Sequence, residues 1–271
     1  MTAFPSVAVI GFGNMGQAIS AGLLEASGFP PERIRPFDPS PVMGARAEAL
    51  GIACAGSSVE AVRGAEVVLI CVKPYMVADV LEGLRDAGAL DHGPLVISIA
   101  AGVKLAAMEA CVPQATPVVR AMPNTACAVR QGMVVLSPGQ AATREHLDRA
   151  RALFEPIARV MDLEEKHMDA VTALSGSGPA FIYTVLEALA TGGIQCGLPA
   201  QVAQELAAQM TLGAATMALQ SGKHTGVLRD EVCTPAGTTI AGLMVLEDGR
   251  LRATLARGVE EAARVAKGLG K

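Results

Sequence analysis

Four consecutive apolar residues, Val7-Ala8-Val9-Ile10, run directly into Gly11-Phe12-Gly13-Asn14-Met15-Gly16 and then into a helical pattern from Asn14 to Ala26. No other stretch constrains the fold as strongly. With 29 glycines in the chain, a Gly-x-Gly-x-x-Gly triplet is expected roughly 0.3 times by chance, so its position carries the weight. Between a buried strand and a helix, the three glycines allow a tight turn, close approach to a pyrophosphate and close helix-strand packing. The segment predicts the opening unit of a dinucleotide-binding sheet.

The pattern then repeats. Ile34 to Phe37, Val67 to Val72, Leu95 to Ile99 and Pro117 to Arg120 are short, nearly continuous apolar runs, as expected of strands covered on both faces. Val42 to Leu50, Tyr75 to Ala87 and Leu105 to Cys111 read as the intervening helices. Met133 to Leu136 and Ala158 to Met161 add two strands around a helix from Thr143 to Phe154. Beyond Leu163 the strand signals stop. Met168 to Leu174, Ala180 to Gly192, Ala200 to Gln220, Thr238 to Leu246 and Leu251 to Ala266 are helical in composition and separated by Gly, Pro or Ser. The fold class is therefore α/β: an N-terminal Rossmann-like doubly wound sheet over residues 1–163, followed by an all-α domain over 164–271. Helices such as Ala180 to Leu186 are apolar on more than one face, which predicts a homodimer or larger homo-oligomer.

Charge and composition exclude several classes. Lys plus Arg number 22 against 26 Asp plus Glu, giving a net charge of −4 and no general positive field for nucleic acid or an anionic membrane surface. No run approaches the length of a membrane-spanning helix, and no secretory leader is apparent. The six cysteines lie too far apart in sequence for a zinc knuckle or a redox pair. Reduced thiols, a cytoplasmic location and no metal are the expectation.

Several segments are placed to carry chemistry. Asp38 lies 22 positions beyond Gly16, at the end of the second strand, where a carboxylate can accept hydrogen bonds from an adenosine ribose diol. It would repel a 2′-phosphate, and no Arg or Lys follows until Arg46, so this position leans toward NADH. Cys71-Val72-Lys73-Pro74 and Ile99-Ala100-Ala101-Gly102 follow strand ends, where ligands sit in open parallel sheets. Met122-Pro123-Asn124-Thr125 reaches the same edge with an amide. Ser175-Gly176-Ser177-Gly178-Pro179 and Thr234-Pro235-Ala236-Gly237-Thr238-Thr239 offer hydroxyls and backbone donors as anion cradles before helices, the second being the better grip for a substrate carboxylate. Neither Tyr75 nor Tyr183 has a lysine four positions on, which excludes short-chain dehydrogenase chemistry. The helix after Pro179 lacks the lysine that a 3-hydroxyacid dehydrogenase would need.

Together, the glycine loop, Val72-Lys73-Pro74, Met122-Pro123-Asn124-Thr125, Asp169 through Ala180 and Thr234 through Thr239 resemble the pyrroline-5-carboxylate reductase family, in order and across essentially the whole chain. The resemblance implies reduction of 1-pyrroline-5-carboxylate to L-proline by a bound NADPH or NADH, and a helical domain that intertwines in a dimer. It places Gly11, Phe12, Gly13, Asn14, Met15, Gly16, Asp38, Ser58, Val72, Lys73, Pro74, Ala100 and Ala101 around the cofactor. Glu165, Gly237, Thr238 and Thr239 match the substrate positions, and Thr239 matches the threonine whose hydroxyl lies near the ring nitrogen. Asp38 stands where the family often carries Ser, Asn or Arg, and Ser58 where many members carry Asn. Both cofactors therefore stay open.

Overall fold

The computed structural model describes residues 4–269. Val7–Ile10 forms β1, and Asn14–Ser27 forms α1. Ile34–Phe37 is β2, Pro41–Ala49 is α2, Ser58–Val62 is α3 and Val67–Ile70 is β3. Val77–Asp86 is α4, Leu95–Ser98 is β4, Leu105–Glu109 is α5 and Val118–Met122 is β5. Gly132–Pro138 is β6, Arg144–Phe154 is α6 and Ala158–Asp162 is β7. The strands join in one sheet ordered β2-β1-β3-β4-β5-β6-β7.

β1, β3 and β4 are buried at every residue, which explains why they read as unbroken apolar runs. Alternation across the pleat divides their side chains between two layers. Val7, Val9, Val67, Leu69, Leu95, Ile97, Val119 and Ala121 pack with residues of α1 and α6. Ala8, Ile10, Val68, Ile70, Val96 and Val118 pack with residues of α3, α4 and α5. In α4, Val77, Leu81 and Leu84 recur at helical spacing and are buried in that second layer.

Around the sheet, two features depart from the sequence expectation. β6 pairs antiparallel with β5, because a short helical turn at Thr125–Val129 joins them in place of a crossover helix. α3 is the other: its five residues contain too little apolar periodicity to announce a helix, yet Ser57 caps it by accepting the Glu60 N–H at 3.1 Å.

Two compact units divide the chain, one comprising residues 1–177 with 260–271 and the other residues 178–259. In the first, Met168–Val171 forms α7 and continues as a π-turn over Thr172–Gly176. In the second, Gly178–Gln195 is α8, Ala200–Ser221 is α9, Thr225–Glu231 is α10 and Thr238–Asp248 is α11. Leu251–Ala266 forms α12. α8 and α9 pack on one another through Ala190, Ala203 and Ala207, side chains small enough to let backbones approach closely. No helix among the described residues is long and apolar enough to cross a membrane.

Candidate active site

The sheet order makes β1 the turning point: the chain steps from it to β2 on one side and then back to β3 on the other. Such a point opens a crevice beyond the carboxyl ends of the strands. The glycine loop occupies it. Gly11 has φ +93°, and a Cβ there would stand 2.9 Å from the Cys71 carbonyl carbon and oxygen and 3.0 Å from Val72 Cγ1. A Cβ at Gly16 would meet the Gly11 carbonyl oxygen at 2.5 Å. These two positions require glycine for the turn and for helix packing. Gly13 differs, since a Cβ there would meet nothing within 4 Å. It stands immediately before the first turn of α1, which has neither a side-chain cap nor an acidic residue. An open helix start with free N–H groups and no competing carboxylate fits a dinucleotide pyrophosphate.

Phe12 is fully buried and anchors the loop in the core, while Asn14 is exposed and Met15 packs partly on the same core. The Asp38 carboxylate secures the loop from the side. Its Oδ2 accepts the Phe12 N–H at 2.8 Å, and its Oδ1 accepts the Ser40 N–H at 2.9 Å. Each oxygen keeps further acceptor capacity for a ribose hydroxyl. Ser58 opens α3 and is half-buried. Beyond β3, Lys73 is exposed and makes no ion pair with a described residue, and Pro74 begins a short helical turn over Pro74–Met76. Cys71 is half-buried, and burial pushes its thiol well above the ordinary range.

Beyond β4, the Ala100 N–H donates to Ser98 Oγ at 3.3 Å, which fixes the start of the loop carrying Ala100 and Ala101. The far end of that loop is α5, whose first residue, Leu105, donates its N–H to Glu165 Oε1 at 2.6 Å. Glu165 Oε1 also accepts from Arg120 Nη1 at 3.1 Å. Arg120 sits in the middle of β5 and is only 3% exposed. An arginine inside the apolar run Val118-Val119-Arg120-Ala121 was the available signal for this pairing, and sequence reasoning assigned it no role.

The amide of Asn124 does not stand free at the crevice edge. Its Oδ1 accepts the Met133 N–H at 3.2 Å and its Nδ2 faces Ser175 Oγ at 3.4 Å, so it ties β5, β6 and the π-turn together. The stretch expected as a cradle, Ser175–Pro179, begins inside the π-turn over Thr172–Gly176: the Ser177 N–H is donated to the Thr172 carbonyl at 2.9 Å, and α8 starts at Gly178.

In the second unit, Thr238 and Thr239 are the first two residues of α11 and Gly237 caps it without a side chain. A Cβ at Gly237 would collide with the Thr234 hydroxyl, which holds the turn tight. Ala236, just before it, is left-handed with φ +57°, an uncommon conformation for a residue with a Cβ and one that concentrates at binding sites. The first turn of α11 has no acidic residue. Its open N–H groups and two hydroxyls suit a carboxylate.

Comparison with known proteins agrees with both halves. Residues 165–269 match the family model described as pyrroline-5-carboxylate reductase dimerisation, and residues 6–102 match one described as NADP oxidoreductase, coenzyme F420-dependent. The chain is 41% identical to the pyrroline-5-carboxylate reductase of Methanosarcina acetivorans over 98% of both chains. It is 46% identical to that of Schizosaccharomyces pombe over 76% of this chain and 72% of the other. The solved pyrroline-5-carboxylate reductase of Coxiella burnetii superimposes with a TM-score of 0.89 at 34% identity, covering 98% of this chain and 99% of that one.

Proposed function

The chain belongs to the pyrroline-5-carboxylate reductase family, and on that footing we propose that it reduces 1-pyrroline-5-carboxylate to L-proline with NADPH or NADH. The observation that carries the reading is the match over 98% of the chain at 41% identity, which spans both the glycine loop and the Thr234–Thr239 turn. Residues 1–163 hold the cofactor and residues 164–271 hold the substrate and the dimer contact, a division supported by the dimerisation match over 165–269.

Gly11 through Gly16 and the start of α1 hold the pyrophosphate, Asp38 and Ser58 the adenosine ribose, and Val72, Lys73, Pro74, Ala100 and Ala101 the remainder of the dinucleotide. When bound, the nicotinamide supplies a hydride to the imine carbon. The Asp38 carboxylate favours the cofactor with a free 2′-hydroxyl, because a 2′-phosphate would bring two negative groups together. Backbone N–H groups from Gly237 to Thr239 hold the substrate carboxylate. The Thr239 hydroxyl accepts the iminium N–H and fixes the ring. Because a protonated imine is already strongly electrophilic, alignment suffices and no strong general acid is required. This accords with the lack of a Tyr-Lys pair in the sequence.

The exposed apolar side chains of α8, α9 and α11, among them Tyr183, Leu206, Leu212 and Met244, support a homodimer or larger homo-oligomer. All six cysteines are free thiols, which supports a reducing, cytoplasmic setting. Steady-state turnover of 1-pyrroline-5-carboxylate with NADH and with NADPH tests the reading. Oxidation of either cofactor with formation of proline is expected; no oxidation of either sinks it.

A further inference from the structure

We infer that Glu165 is a positioning residue, which together with Arg120 fixes the loop from Ala100 to Lys104 at the carboxyl edge of β4. Resting on the reduction proposed above, the inference assigns Glu165 a task other than touching the substrate. Leu105 is the first residue of α5, and the residue before it, Lys104, supplies no side-chain cap. The Leu105 N–H, one of the donors a helix start leaves without an intrahelical partner, is taken by a carboxylate 60 residues further along the chain, at 2.6 Å. The same oxygen, Oε1, also accepts from Arg120 at 3.1 Å.

Arg120 is where it is because of the sheet register. It lies opposite Ser98 on β4 and Ser137 on β6, so three polar side chains cross the centre of the sheet in one row, exposed by 0%, 3% and 1% in the order Ser98, Arg120, Ser137. A guanidinium so deeply placed needs a carboxylate beside it. Glu165 supplies one, and Asp169 Oδ1 stands 3.8 Å from Nη2. Nη2 itself has no hydrogen-bond partner among the described residues, which makes the Glu165 contact the one that holds the fork in register.

The loop is thus pinned at both ends. Ser98 Oγ takes the Ala100 N–H, and Glu165 takes the Leu105 N–H. Glu165 also begins the helical run that leads through α7 to the π-turn, whose Ser175 faces Asn124. One carboxylate oxygen therefore couples the Ala100–Lys104 loop, the centre of β5 and the segment from Glu165 to Gly176.

Amide hydrogen exchange of Leu105 in the cofactor-free protein, followed alongside turnover, tests this. In Glu165→Ala, the Leu105 amide should exchange about tenfold faster, kcat should fall about tenfold, and KM for pyrroline-5-carboxylate should stay within about twofold. Glu165→Gln keeps an oxygen for the Leu105 N–H and loses only the charge, so it should restore protection and most of kcat. Unchanged Leu105 exchange in the alanine variant overturns the inference. So does a glutamine variant that keeps Leu105 protected yet loses as much kcat/KM as alanine, since that result makes Glu165 an electrostatic partner of a cationic substrate. Should the alanine variant fail to fold, the glutamine variant is compared with wild type: Leu105 protection with most of kcat retained upholds the inference, and Leu105 protection with kcat/KM down about tenfold or more overturns it. A wild-type protein without turnover sinks the proposed reduction and leaves the exchange measurement standing.

Discussion

The Asp38 carboxylate accepts the Phe12 backbone N–H at 2.8 Å, across 26 residues of sequence, and so the group proposed to read the ribose also holds the turn proposed to grip the pyrophosphate. Asparagine at this position keeps an acceptor for Phe12 and removes the negative charge. In Asp38→Asn, the ratio of kcat/KM for NADPH to that for NADH should rise about tenfold, a change of roughly 1.4 kcal/mol. An unchanged ratio would mean that Asp38 shapes the loop without discriminating between cofactors.

Two of the loop glycines should separate under alanine substitution. Gly13→Ala places its methyl in open space, so the fold should lose less than about 1 kcal/mol while dinucleotide affinity drops by at least about tenfold. Gly16→Ala drives a methyl to 2.5 Å from the Gly11 carbonyl oxygen and should destabilise by about 1–3 kcal/mol. Thermal melting and calorimetric titration with NADH read the two effects separately.

Two residues of the Thr234–Thr239 turn should behave in opposite ways. Ala236 is held at φ +57°, and Ala236→Gly should gain about 1 kcal/mol by removing the Cβ clash. Thr239→Ala should lower kcat/KM about a hundredfold with little change in melting, and Thr239→Ser should recover much of it. Wild-type kcat/KM in Thr239→Ala would remove the hydroxyl from the reaction.

Burial raises the Cys71 thiol above its ordinary value of 9.0. The unfolded chain therefore releases this proton at a lower pH than the native protein does. Its contribution to stability is complete below that value and is lost as pH climbs beyond it. Melting temperature should drop on going from about pH 8 to about pH 10.5, and Cys71→Ala should show a smaller drop. An equal drop in both proteins would assign the effect to other groups, including Cys127, whose thiol is also raised by burial.

Leu212 on α9 is 56% exposed within its own chain. Leu212→Glu places a charge on that apolar face and should lower the sedimenting mass toward the monomer. An unaltered mass would place the subunit contact elsewhere.

Much of the first unit was legible because its chemistry is local. Val7–Ile10 and Ile34–Phe37 were read with their observed bounds, as runs of apolar side chains end sharply at glycine or at Asp38-Pro39. What escaped was either short or distant. α10, with Gly226 inside seven mostly polar residues, has no apolar period to detect. Ser175-Gly176-Ser177-Gly178-Pro179 carries the punctuation of a loop, but the contact of Ser175 with Asn124, 51 residues away, belongs to a π-turn. The pairing of Arg120 with Glu165 spans 45 residues and follows from sheet register, which no window of sequence contains.

Three alanines, Ala190, Ala203 and Ala207, are the only buried side chains among the described residues from 178 to 259. Three methyl groups cannot offset the ordering entropy of some eighty residues. For this segment, maturation must be a second-order event: the nucleotide-binding half can collapse on its own, while the remainder acquires its final stability when another copy arrives. Dilution should then act like a denaturant, and newly synthesised subunits at low abundance should be the form most open to proteolysis.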